Sequence, residues 1–370
     1  MKFNMLTPLP VKCRQSCASC AVACERKWFL KYRLGVVLRG GSYKEAADLG
    51  TIFHRFMLEG AEGEGKVLAW VNEWRLRLHK QISAGEDLDG NLARTSNKLS
   101  ELYNIAEAMA RIFREKYPQP EWFKTIGREI KHEFTYEGVL LSGTLDKLLL
   151  DTRTNNVWIR DYKSTGRALM AIFAGAPWRV QGRIYRLLAE DYLFHSVPDL
   201  GKTTVTEEQL EKAVAPFLSM DQKTLNSIVP VNVQGFILDG IKKPGIKLCR
   251  TDIANAKKWN VSEAEAYLRR VKEWYKETEG KDDAPVMKSM GVMYTEARVT
   301  PELEKVLSMF RKYQADVTLD PMAYSRDPSG RECFAWERQC EYYDLCMRDP
   351  KNWDDLFEKK YTFKKEETEE

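Results

Sequence analysis

Long hydrophobic runs are missing from this chain. The longest mostly apolar stretch, Val139 to Leu150, is broken by Ser142, Asp146 and Lys147, far short of the ~20 residues a membrane-spanning helix needs. No membrane role is therefore expected. The N-terminal MKFNMLTPLPVKCRQ carries one early lysine but no continuous apolar core of a signal peptide, which argues against export and for a reducing compartment. Charge of one sign is also missing: 58 Lys and Arg against 54 Asp and Glu leave a net +4, so affinity for a polyanion needs a local patch. Cysteine is scarce, eight in 370 residues, too few for a disulfide scaffold. There is no internal repeat and no linker that divides the chain. What is present is a globular composition: 44% hydrophobic, 30% charged and 11% aromatic residues exclude a disordered or fibrous chain.

Periodicity locates the elements. Leu49, Ile52, Phe53 and Phe56 recur at helical steps within Tyr43 to Glu59, a helix that also carries His54. A second helix is expected from about Leu99 to Lys116, with Leu102, Ile105, Met109 and Ile112 on one face and Pro118 and Pro120 stopping it. Sheet follows: Ile130 to Tyr136, Val139 to Leu150 and Val157 to Lys163 read as a three-strand meander. In the third strand Asp161 and Lys163 share a face, expected to be exposed, while Trp158, Arg160 and Tyr162 take the other. Pro177 opens a helix on which Gln181 and Tyr185 are neighbours. A strand pair is expected at Val229 to Leu238 and Gly240 to Cys249, and helices at Ser262 to Lys276 and after Thr300-Pro301.

The cysteines fall into two groups. Cys13, Cys17, Cys20 and Cys24 lie near one end, Cys333, Cys340 and Cys346 near the other, and Cys249 stands alone. The segment RECFAWERQCEYYDLC places three thiols where they can wrap one soft metal centre. A tetrahedral zinc or a four-iron cluster wants a fourth thiolate, which must come from the N-terminal group. Gly143-Thr-Leu-Asp146 on one strand, Asp161-Tyr-Lys163 on the next and His54 upstream supply two carboxylates, an imidazole and an ammonium. Mg2+ or Mn2+ suits such oxygen-rich sets, and a lysine beside them can orient a water and stabilise developing charge. Each residue also has a plainer use, as a hairpin ion pair or an ordinary helix histidine. Arg26, Lys27, Arg55, Arg167, Arg179 and Arg183 flank the set and could line a phosphate track, whereas Trp28, Phe173 and Trp178 are better assigned to core packing than to base stacking. Ser196 to Thr203 mimics a phosphate-binding loop but follows a helix, which argues against ATP binding.

These motifs together resemble the RecB-like nucleases of the PD-(D/E)xK superfamily, in particular the iron-sulfur branch with the AddB-type nuclease domain and phage and CRISPR-associated exonucleases. The resemblance rests on Cys24-Glu-Arg-Lys-Trp-Phe-Leu-Lys-Tyr32, Gly50-Thr-Ile-Phe-His54, GTLDKLL, Asp161-Tyr-Lys163-Ser, Gln181-x3-Tyr185 and the three late cysteines. It implies an α/β fold with a central mixed sheet flanked by helices, its terminal segments joined by a [4Fe-4S] cluster. It implies that His54, Asp146, Asp161 and the Tyr162 carbonyl hold the catalytic metal, that Lys163 positions the nucleophilic water, and that Gln181 and Tyr185 support the site or touch DNA. Cys24, Cys333, Cys340 and Cys346 would bind the cluster, with Cys20 an alternative to Cys24. Proline is absent before Asp146 and three thiols are extra. The expected organisation is one nuclease domain over 1–358, with core motifs at 43–195 and helical and cluster-binding segments at 1–42 and 250–350, then a charged tail at 359–370. The expected function is a Mg2+- or Mn2+-dependent DNA exonuclease on single-stranded or frayed ends, in recombination, repair or phage DNA processing. A helicase or recombination protein is the implied partner, and the cytoplasm of a bacterium or phage-infected host the implied location. A catalytically silent iron-sulfur scaffold of the same fold is the alternative.

Overall fold

A computed structural model describes residues 9–38, 45–87, 90–166, 168–174, 180–196, 232–247, 249–281, 285–294, 299–316, 320–334 and 339–363. The chain divides into two compact units, one built from Met1–Ser42, His132–Gly143 and Ala297–Glu370, the other from Tyr43–Lys131 and Thr144–Glu296. Among the described residues no helix is long and apolar enough to cross a membrane.

The first unit opens with α1 (Gln15–Ala23) and the short α2 (Glu25–Trp28), which runs into β1 (Val36–Leu38) through a wider turn at Phe29–Arg33. Aromatic stacking fixes this segment: Trp28 lies 4.2 Å from Tyr313 at 20°, and Phe29 lies 4.3 Å from Tyr324 at 26°. Trp28 is thus core, as its type suggests. The Glu25 carboxylate accepts hydrogen bonds from the Tyr313 hydroxyl and from Ser325. Tyr313 comes from the helix Pro301–Ala315, whose first turn is capped by Thr300 accepting from the Leu303 N–H at 3.4 Å.

The second unit pairs a helical layer with a sheet. In α3 (Glu45–Glu59) Leu49, Ile52, Phe53 and Phe56 are all buried, one apolar stripe at helical spacing. The helix α4 (Glu64–Ser83) has only Val67, Val71 and Leu78 buried, too thin a stripe to stand out in the sequence. The helix α5 (Asn91–Lys116) starts eight residues before the expected Leu99, because its first two turns are polar. The strands β2 (Phe123–Tyr136), β3 (Val139–Asp151) and β4 (Asn156–Thr165) follow. After α6 (Met170–Phe173) and α7 (Val180–Ser196), β5 (Val233–Lys242) lies parallel to β4, and β6 (Met287–Met293) lies antiparallel to β5. The sheet order is β2-β3-β4-β5-β6, a mixed five-strand sheet flanked by helices, which agrees with the expected fold class. The strand β4 is central, so both its faces are covered: α3 and α7 each pack against it, and Asp161, expected on an exposed face, is only 1% exposed.

Two further expectations fail for physical reasons. The strand pair expected to turn near Gly240 is a single strand, β5, that runs straight through Gly240. A Cβ there would come 2.7 Å from Phe173 and 2.9 Å from Leu169, so this glycine makes room for side chains rather than for a turn. Within the segment expected as a charged tail from 359, Tyr361–Phe363 form β7, antiparallel to β1, with Tyr361 fully buried. The expected helix start at Pro177 lies outside the described residues, as does the phosphate-loop mimic of 196–203 beyond Ser196.

Gly235 meets a harder constraint than Gly240. A Cβ there would stand 2.4 Å from the Trp158 ring and 2.6 Å from the Val292 carbonyl oxygen, a backbone atom that cannot swing aside. Gly235→Ala should therefore lower unfolding stability by about 1–3 kcal/mol, read as a shifted midpoint in urea; an unchanged midpoint would mean that β5 and β6 separate more easily than this packing implies.

Candidate functional site

All the residues expected to form the catalytic constellation lie in the second unit. The strand β4 supplies Asp161, Tyr162 and Lys163, β3 supplies Asp146, α3 supplies His54 and α7 supplies Gln181 and Tyr185. Lys163 and Asp161 share a face, as alternation requires, and Lys163 Nζ stands 2.7 Å from Asp161 Oδ2 and 2.9 Å from Oδ1. Gln181 Nε2 donates to the same Oδ1 at 3.0 Å. Asp161 Oδ2 is buried and has the ammonium beside it, but no hydrogen bond of good geometry among the described residues. On the neighbouring strand, Asp146 Oδ2 accepts the Tyr162 N–H at 3.0 Å and stands 3.3 Å from His54 Nδ1. The His54 ring also hydrogen-bonds the Tyr162 backbone. Tyr162 is thus held by Asp146 on its amide side and by His54 as well.

The electrostatics follow from burial. Burial pushes the Asp161 carboxyl up to about 7, against the opposing pull of Lys163, and the nearby Asp146 charge adds to the rise. Desolvation lowers His54 below its ordinary value, partly offset by Asp146, so the imidazole is favoured in its neutral form. Burial raises the Tyr185 phenol, which hydrogen-bonds Gln181. A buried carboxylate oxygen short of hydrogen bonds suits a hard cation. The donor set of two carboxylates, a neutral imidazole and a carbonyl has the same character. Even so, among the described residues no group of three or more His, Cys, Asp or Glu side chains stands close enough together to hold a metal ion as arranged.

A neighbouring lysine carries no flag in the sequence beyond its place as a charged residue inside the apolar run GTLDKLL. Lys147 follows Asp146 directly, points its Nζ at the Met57 carbonyl (3.0 Å) and lies 5.5 Å from the centre of the Tyr162 ring. Arg160, also 5.5 Å from the centre of that ring, is paired with Asp239, Nε to Oδ2 at 2.5 Å. The arginines expected to line a phosphate track are otherwise engaged: Arg26 is buried and donates to the Tyr324 carbonyl, Arg55 is paired with Glu59 and Glu129, and Arg183 lies over the Tyr294 ring. Arg167, Trp178 and Arg179 lie outside the described residues.

The cysteines are in the first unit. Cys24, Cys333, Cys340 and Cys346 line one cavity of about 290 Å³, together with Lys27 and Arg326; Cys20 is not among its lining residues. Burial pushes the Cys346 thiol up to about 12 and raises Cys340, and in both the neighbouring Cys24 adds to the rise. Neutral thiols are favoured there until a positive centre draws off their protons. Cys13 plays a different part, since its backbone bridges to β3, donating to the Leu140 carbonyl at 2.8 Å and accepting from Ser142 at 3.3 Å.

Lys147 yields a pH test. Burial, with Arg160 and Arg128 next in effect, pushes its pKa down to about 7, against about 10.4 in an unfolded chain. The folded state therefore sheds this proton, and the resulting stability is present above the unfolded value and lost as pH falls toward 7. Folded protein should gain about 1.4 kcal/mol for each pH unit from 7 to 10 through this group. Lys147→Met should remove that rise; parallel stability curves for wild type and variant in denaturant titrations would show that Lys147 stays charged.

A family model described as PD-(D/E)XK nuclease superfamily matches residues 15–347 of the chain. No curated protein matches it.

Proposed function

We infer that this chain, which belongs to the PD-(D/E)XK nuclease superfamily, is a metal-dependent nuclease that hydrolyses phosphodiester bonds in DNA, as an exonuclease on single-stranded or frayed ends. The observation that carries this reading is the convergence on β4: Asp161 held by Lys163 and Gln181, beside Asp146 and His54, which both hold Tyr162. Bound at His54, Asp146, Asp161 and the Tyr162 carbonyl, Mg2+ or Mn2+ would supply an acidified water and charge neutralisation at the scissile phosphate. Lys163, with 31% of its side chain exposed, is placed to hold the attacking water and to stabilise charge on the phosphate oxygens. Gln181 orients the Asp161 carboxylate through Oδ1, and Tyr185 braces Gln181 in turn. Exonuclease action, and DNA ends as substrate, follow the resemblance of these motifs to the iron-sulfur exonucleases. On the same reading residues 1–358 work as one nuclease domain.

Full-length protein with end-labelled linear and circular single-stranded DNA, in Mg2+, Mn2+ or EDTA, tests this. Loss of the linear substrate alone, and only with metal, is the expected result; cutting of circles would make the enzyme an endonuclease. Lys163→Ala and Asp161→Ala should each lower the rate by about 10³-fold or more, while His54→Ala, which removes one neutral ligand replaceable by water, should cost less. Near-normal rates for Lys163→Ala with unchanged melting would remove the site assignment.

We further read Cys24, Cys333, Cys340 and Cys346 as ligands of a [4Fe-4S] cluster. Four thiols around one cavity supply the donor number, and Lys27 and Arg326 at its wall would offset the negative charge of a cluster ligated by four thiolates. Protein purified without oxygen should contain iron and sulfide, and Cys24→Ala or Cys346→Ala should lose both, whereas Cys20→Ala and Cys249→Ala should keep them. One stoichiometric zinc in place of iron would overturn the cluster while leaving the nuclease reading intact.

A further inference from the structure

The face of the sheet turned away from Asp161 and Lys163 carries a cavity that the nuclease reading leaves unused. Strand register lays out its floor. Trp158 stands level with Gly235, Arg160 with Ile237 and Gly291, and Tyr162 with Asp239 and Ser289. Side chains alternate along β4, so these positions face away from Asp161. A cavity of about 400 Å³ opens here, lined by Trp158, Arg160, Gly291 and Ser289 of the sheet, by Tyr117 at the end of α5 and by Phe123 at the start of β2. Its size is that of small-ligand sites.

Two features suit it to an aromatic ligand. A Cβ on Gly235 would come 2.4 Å from Trp158 Cζ3 and one on Gly291 3.6 Å from the same atom, so the indole takes its place over two strands that present no side chain beneath it. Trp158 Nε1 is buried, so the indole meets the cavity with its ring rather than with its N–H. The Phe123 ring stands edge-on to the indole at 6.4 Å between centroids. Arg160 is 6% exposed and paired with Asp239, and Lys116 at the rim is paired with Glu279. With both cations partnered, recognition falls to the aromatic wall more than to charge.

We propose that this cavity binds one nucleotide of DNA, its base stacked against the aromatic wall and its phosphate at the open rim. A nucleobase presents a broad π-face, the surface that stacks on such a wall. An aliphatic ligand or a sugar phosphate alone would leave the rings unstacked. The choice of DNA rests on the nuclease reading. The nucleotide can come from free deoxynucleoside monophosphate, the product class of an exonuclease, or from a single strand crossing the back of the sheet.

Full-length protein in EDTA, where nothing is cut, tests this by calorimetric titration with dAMP, dTMP, deoxyribose 5-phosphate and a short oligodeoxythymidylate. The monophosphates or the oligonucleotide should bind, and deoxyribose 5-phosphate should bind about tenfold more weakly or not at all. Trp158→Ala and Gly291→Leu, the second filling the cavity while leaving both ion pairs in place, should each weaken nucleotide binding by about tenfold. An oligonucleotide carrying 5-iododeoxyuridine should crosslink under ultraviolet light to Trp158, Tyr117 or Phe123 of the wild-type protein, which decides the matter even if Trp158→Ala fails to fold. Monophosphate binding identifies the free product as ligand, and binding of the oligonucleotide alone identifies a strand. The proposal falls if neither binds, if Gly291→Leu binds like wild type at an unchanged melting temperature, or if crosslinks form only elsewhere. Because no cleavage is read, a protein that binds here yet cuts no DNA would sink the nuclease reading alone.

Discussion

The candidate site depends on one unfavourable act: the fold buries the Asp161 carboxyl in the middle of its central strand. A lone buried carboxylate is costly, and the protein meets the cost locally with the Lys163 ammonium and the Gln181 amide. Those two partners come from the same strand and from α7, so strand and helix must both be in place before the carboxyl is tolerable. A surface pair of the same two residues would be worth little and would constrain nothing.

Tyr162 links this polar cluster to the apolar core. Its N–H holds Asp146 and its backbone takes a hydrogen bond from His54, while its ring joins the core formed with α3 and α5. Lys147 and Arg160 lie near that ring at 5.5 Å each. The carboxylates and the imidazole are therefore set by packing rather than by loop geometry, which gives a binding site its sharpest positioning.

Much of this is legible in the sequence, and the limits are physical. Period-two alternation places Asp161 and Lys163 together, and helical spacing places His54 on α3 and Gln181 next to Tyr185, because local geometry alone sets those relations. The burial of that strand face is not legible, because alternation tells which residues share a face and not what covers it; α7 does, through Gln181 on Asp161. Gly240 reads as a turn, since the same residue type serves tight turns and close side-chain approach. The helix α4 escapes notice because so few of its residues are buried. The four cysteines around one cavity are recognisable as a group, yet only packing separates Cys24 from Cys20 at its wall.

The strand β4 is read on both sides. One face offers Asp161 and Lys163, the other Trp158, Arg160 and Tyr162, and the period of two ties them together. A single inserted residue would exchange the two faces at every later position, turning the indole or guanidinium toward the carboxylates and the acid toward the aromatic hollow. Two inserted residues would restore the faces but shift the acid along the strand, away from Gln181. Length variation among related chains should therefore collect in the turn Thr152–Asn155 and beyond Thr165, and the ten residues between should behave as a unit of fixed length.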